Sequence, residues 1–118
     1  MIVGEISHIR AVSIGWHDDV NEAHNDIKKH IAEVEDGEGV LILTDMFGGT
    51  ATNLALPFLV PNQVEIVTGV NLPMLVKLAS IRDQDLSLSD VADRLTAAGQ
   101  KSIRVAGEFL RSRNARAS

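Results

Sequence analysis

Apolar and polar residues change their period several times along this chain, and each change marks an element. Ile9-Arg-Ala-Val-Ser-Ile14 is short, rich in β-branched residues and closed by Gly15, which predicts a strand over 10–14. From Asp18 or Asp19 onward, apolar Val20, Ala23, Ile27, Ile31 and Val34 recur at helical spacing among Asp, Asn, Glu and Lys. That spacing predicts an amphipathic helix capped by an aspartate and stopped near Asp36-Gly37, where glycine accepts the left-handed turn. Val40-Leu-Ile-Leu-Thr44 is apolar without alternation, as a strand covered on both faces would be. Thr50 or Thr52 can cap a short helix that Pro57 and Pro61 limit, and Val64-Glu-Ile-Val-Thr68 is the next strand, ended by Gly69.

Asn71 opens a further helix with Pro73 in its first turn, where the missing N–H costs nothing. Ser87 or Ser89 caps another, whose Leu88, Val91, Leu95 and Ala98 form one face before Gly99 ends it. Ile103-Arg-Val-Ala-Gly-Glu-Phe-Leu110 alternates weakly and predicts a final edge strand. The order is that of an α/β fold, an open and mainly parallel sheet covered by helices, over residues 1–110 with a flexible basic tail over 111–118. In such sheets ligands meet the loops at the carboxyl ends of the strands.

Two of those loops carry unusual chemistry. Asp45 leaves the strand at 40–44 as a lone carboxylate able to accept an imidazole N–H and fix its tautomer. Gly48-Gly49-Thr50 follow, small residues whose amides can face an anion at the start of a helix. The plainer reading is that Asp45 caps the turn and the glycines permit it. The second loop, Thr68-Gly-Val-Asn-Leu-Pro-Met74, repeats the pattern of strand end, glycine and capped helix; Asn71 there is first of all a cap, and a candidate brace for the first loop.

Composition narrows the classes. A net charge of -5 argues against nucleic acid as partner, since phosphate binding needs a basic stripe, and Arg111, Arg113 and Arg116 of the tail are the one basic cluster. With no cysteine there is no disulfide or thiolate metal site, and His17, His24 and His30 lack the i, i+4 geometry of a helical metal pair, so no metal is expected. Trp16 reads as a packing residue. No apolar run reaches the length of a membrane helix and the start lacks a signal-peptide pattern, so no direct membrane insertion is expected. The Walker lysine loop, the dinucleotide glycine fingerprint and the Gly-x-Ser-x-Gly elbow are all missing.

The run Gly39-Val-Leu-Ile-Leu-Thr-Asp-Met-Phe-Gly-Gly-Thr50, then Val67-Thr-Gly-Val-Asn-Leu-Pro-Met-Leu75, resembles the mannose-type enzyme IIA domain of the bacterial phosphoenolpyruvate-dependent sugar phosphotransferase system. The resemblance runs from about Ile9 to about Leu110 and includes the Arg10-Ala-Val-Ser-Ile-Gly15 segment. It implies a cytoplasmic homodimer that exchanges a C-terminal strand, accepts a phosphoryl group from the carrier HPr and passes it to a IIB domain, without cofactor or metal. By the same resemblance Asp45 orients a phosphohistidine, Gly48, Gly49 and Thr50 sit against the phosphoryl group, and Gly69 and Asn71 support them.

The histidine itself is the departure. His8 follows Ser7 as the family's Ser-His motif would, but that family places a helix between its histidine and the strand matching 10–14, where here Ile9 alone intervenes. In register with the later motifs, Ile2 to His8 matches the end of the first helix, so the resemblance implies that the central first strand and its histidine, roughly 20–25 residues on ordinary element lengths, are missing. His8 is then a turn residue and the chain a poor phosphoacceptor. Alanine at position 51, where the family usually has proline, removes no functional group. Two rival readings are a non-catalytic docking or regulatory module that keeps the IIA surface, and an unrelated anion-binding α/β domain.

Overall fold

The computed structural model describes residues 9–14 and 19–117. Its elements are α1 (Val20–Val34), β1 (Val40–Leu43), α2 (Thr50–Ala55) running into a 3-10 turn (Leu56–Phe58), β2 (Val64–Val67), α3 (Leu72–Ile81), α4 (Leu88–Lys101) and α5 (Ala106–Ala117). Local chemistry sets most of the boundaries. Asp19 caps α1 by accepting the Asn21 N–H at 2.8 Å, and Ser87 caps α4 by accepting that of Asp90 at 3.1 Å. Gly37, just past the end of α1, has a φ of 95°, the left-handed region expected of it.

β1 and β2 pair in parallel with Val40 opposite Val64 and Leu43 opposite Val67. On one face of this sheet lie α3 and α4, and the core forms there from Val67, Met74, Ile81, Ala92 and Leu95, with Leu41, Leu43, Leu78 and Val91 packed around it. Leu95 is wholly buried. α1 packs instead against α2, burying Ala23 and Ile27, and the His24 ring stacks on Phe58 with centroids 4.4 Å apart.

Two expected strands are not found. Residues 9–14 form no strand, because a strand exists as one side of a ladder and no backbone group of this segment pairs with another strand among the described residues. What ties it down is the Arg10 guanidinium, whose Nε donates to Glu33 Oε2 of α1 at 3.3 Å. The expected C-terminal edge strand over 103–110 is also corrected: from Ala106 the chain is helical, and the basic tail expected from Arg111 onward is the second half of α5. With no neighbouring edge to join among the described residues, the backbone of this stretch closes its own hydrogen bonds, and Ala, Glu, Leu and Arg are good helix formers. Ile103, Val105, Phe109 and Leu110 stay exposed.

β1 is also less covered than expected. Val40 is buried, whereas Leu41, Ile42 and Leu43 are half-buried. Val40 N donates to Gln63 O and Thr44 N to Val67 O, so even-numbered residues face β2 and the N–H and C=O groups of Leu41 and Leu43 face the opposite edge. Along that edge runs an apolar cleft of about 860 Å3, whose lining includes Ile9, Val12 and Ile14 together with Leu41, Leu43 and Leu78.

Candidate functional site

The register of the two strands decides where the loops meet. Because Leu43 lies opposite Val67, Asp45 and Gly69 leave the sheet together at its carboxyl end. A backbone bond from Val70 N to Thr44 O, 2.9 Å, ties the second loop to the first. Gly69 and Gly48 have φ of 77° and 81°, values that L side chains rarely adopt, and a Cβ on either would meet no atom within 4 Å. Among the described residues these two glycines serve backbone conformation and not close packing. Gly49 differs, since a Cβ there would lie 3.0 Å from Met46 Cγ.

Asp45 itself is exposed, and among the described residues its carboxylate has no hydrogen-bond partner. Gly49, with no side-chain cap, holds the N-cap position of α2, which replaces the expected cap by Thr50 or Thr52. Thr50 is exposed on the first turn beside it. Thr52 is instead buried beneath the loop: its hydroxyl donates to Met46 O and lies 2.8 Å from the buried Thr44 Oγ1.

Asn71 caps α3 as expected, its Oδ1 accepting the Met74 N–H at 3.3 Å. Its other expected role is corrected. The side-chain amide braces α4 and not the first loop, with Nδ2 donating to Gly99 O at 3.2 Å and reaching Ser102 Oγ at 3.4 Å. The geometry follows from packing: α3 lies against α4, and at Gly99 the approach is close enough that a Cβ would lie 2.8 Å from Met74 Cγ.

The histidines sort differently. His8, Trp16 and His17 lie outside the described residues. His24 is engaged on Phe58, and His30 Nδ1 contacts Glu33 Oε2 at 3.1 Å, so neither serves Asp45 in this arrangement. Two residues without a role in the sequence pattern are prominent here. Met46 and Phe47, next to Asp45, are 56% and 78% exposed, an apolar rim on a polar site. Their signal was two large apolar residues between an acid and a glycine pair, a place where burial is not available.

The sequence profile of the family described as "PTS system fructose IIA component" matches residues 1–96. The chain is 32% identical over 111 residues to the fructose-specific EIIA component of Bacillus subtilis, which covers 93% of this chain and 75% of that protein. It is 31% identical over 110 residues to the mannose-specific EIIAB component of Escherichia coli K12, covering 88% of this chain and 32% of that longer protein. Among solved structures it resembles the PTS IIA protein associated with the fucose utilization operon of Streptococcus pneumoniae, with TM-score 0.67, 32% identity, and coverage of 80% of this chain and 68% of that one. An EIIA component from Streptococcus agalactiae, also at TM-score 0.67 but 20% identical over 79% of this chain and 72% of its own, shares the fold.

Proposed function

Because the chain belongs to the fructose/mannose IIA family of the sugar phosphotransferase system, we propose that it is a phosphocarrier of the cytoplasm that takes a phosphoryl group from phospho-HPr and passes it to a IIB partner through a histidine. The observation that carries this is the convergence of Asp45 and the Gly48-Gly49-Thr50 loop with Gly69 at one end of the sheet. An imidazole placed there would donate one ring N–H to Asp45, leaving the other nitrogen unprotonated and nucleophilic. That nitrogen attacks phosphorus in line, forming one N–P bond as the bond to the HPr imidazole breaks, so catalysis consists of alignment and charge stabilisation. Neither a metal nor an organic cofactor is needed for such a transfer. Met46 and Phe47, exposed beside the acid, supply the apolar contact on which a partner would dock. Exposed Ile103, Val105, Phe109 and Leu110 support pairing with a second copy. No helix among the described residues is long and apolar enough to cross a membrane.

The second reading, a docking or regulatory module, is favoured by the engagement of His24 and His30 away from Asp45. One experiment separates the two. The chain is incubated with phosphoenolpyruvate, enzyme I and HPr, acid-labile phosphate is sought on it, and HPr binding is followed by NMR. Labelling supports the carrier, and its loss in His8→Ala would assign the acceptor to His8. Binding without labelling supports the docking module, and neither binding nor labelling defeats both.

A further inference from the structure

Asp45 is exposed, yet the residues on either side of it are both fixed by one buried hydroxyl. Thr52 is 1% exposed and Thr44 is 6% exposed. A carbonyl oxygen can only accept, so the Thr52 proton goes to Met46 O. The Thr44 hydroxyl, 2.8 Å away, must then donate to Thr52 Oγ1. The result is a directed chain, Thr44 to Thr52 to the Met46 carbonyl, that brackets Asp45 in sequence. Thr44 is also held through its backbone, donating to Val67 O and accepting from Val70 N. The main chain before Asp45 is therefore tied to β2, while at Met46, directly after Asp45, the tie among the described residues is Thr52, ahead of the next backbone bond from Asn53 N to Gly49 O.

We propose that Thr52 is a positioning residue that sets the direction of the Asp45 carboxylate by clamping the Met46 peptide from beneath. The proposal deepens the reading of Asp45 as the acid that orients an imidazole, and rests on it. Hydrophobic residues of similar size would fill the same space, but the clamp needs a group that accepts one hydrogen bond while donating another. A valine at 52 keeps the shape and leaves the Met46 carbonyl and the Thr44 hydroxyl without partners. A serine keeps the chain of bonds and loses a methyl group. Loops released in this way misplace their functional groups, and an error of about 1 Å can cost on the order of a hundredfold in transfer.

The test uses the 15N-labelled chain and its Thr52→Val, Thr52→Ser and Leu95→Ala variants. Amide resonances of Asp45, Met46 and Gly48 are recorded, with HPr added to each. Thr52→Val should shift those resonances and weaken HPr binding by about tenfold or more, and Thr52→Ser should restore both. Leu95→Ala, which destabilises the core generally, should leave the loop resonances in place. Unchanged resonances in Thr52→Val, no restoration by serine, or an equal shift in Leu95→Ala would overturn the proposal. If the parent chain does not bind HPr, the proposed function fails while the resonances still decide the role of Thr52.

Discussion

Gly99 offers a sharp test of how α3 and α4 hold the second loop. A Cβ added there would lie 2.8 Å from Met74 Cγ, 2.9 Å from Met74 Sδ and 3.3 Å from Asn71 Oδ1. Met74 is 2% exposed and cannot swing into solvent. Gly99→Ala gains at most about 1 kcal/mol of helix propensity, less so close to the end of α4. Overpacking costs about 1–3 kcal/mol, and displacing Asn71 weakens the bonds to Gly99 O and Met74 N by roughly 1 kcal/mol more. The net expectation is a loss of about 1–2 kcal/mol in urea unfolding followed by circular dichroism. In a Met74→Ala background, itself about 2–5 kcal/mol less stable, the clash is gone and Gly99→Ala should become neutral or stabilising. Stabilisation in the parent equal to that in the Met74→Ala background would refute the reasoning.

Phe47→Ala should leave unfolding within about 0.5 kcal/mol, as the side chain is largely exposed, and should weaken HPr or IIB binding severalfold by calorimetry. The hydrogen bond from His30, more than the charges of His30 and Lys29 or the bond from Arg10, holds the Glu33 carboxyl below its ordinary value of 4.5. A lowered carboxyl stabilises fully above the unfolded value and loses that contribution as pH falls through the folded one, so acid below about 4.5 should release residues 9–14 from α1. The Arg10 Nε–H resonance should report this release, and Glu33→Gln should abolish its pH dependence. The cleft beside β1 should bind an apolar dye such as anilinonaphthalene sulfonate under native conditions, and Val12→Asp should quench that fluorescence; a dark parent would show the cleft closed.

What was legible in the sequence is what short stretches decide alone. Asp19, Ser87 and Asn71 cap helices because a side-chain oxygen finds an amide two or three residues on, with no need of the rest of the fold. β1 and β2 announced themselves as apolar runs, and their shared direction put Asp45 and Gly69 together. Gly99 was misread as a helix terminator because a glycine after an apolar face has two explanations, and only Met74 on another helix selects between them. Thr52 was similarly ambiguous. Its burial and its partner Thr44 reassign it from cap to clamp, although a paired hydroxyl beneath an otherwise aliphatic strand end was a usable signal.

The two expected strands that do not form, 10–14 and 103–110, share one physical reason. A helix satisfies its backbone within its own segment, so its sequence can specify it, whereas a strand needs a partner edge that its own residues do not encode. Ile9 to Ile14 has the composition of a strand and lines the same apolar cleft as β1, but none of its backbone groups pairs with a strand among the described residues. Among the described residues the polar tie of this segment to the rest of the fold is Arg10 to Glu33, a pair of exposed side chains worth little. The segment after Ser102 meets the same condition and takes the other exit, folding its backbone bonds into α5 while leaving Phe109 and Leu110 in solvent. In both places the aliphatic side chains suit a sheet wider than the two strands formed among the described residues, and the edge of Leu41 and Leu43, which pairs with no other described strand, is where that sheet would continue.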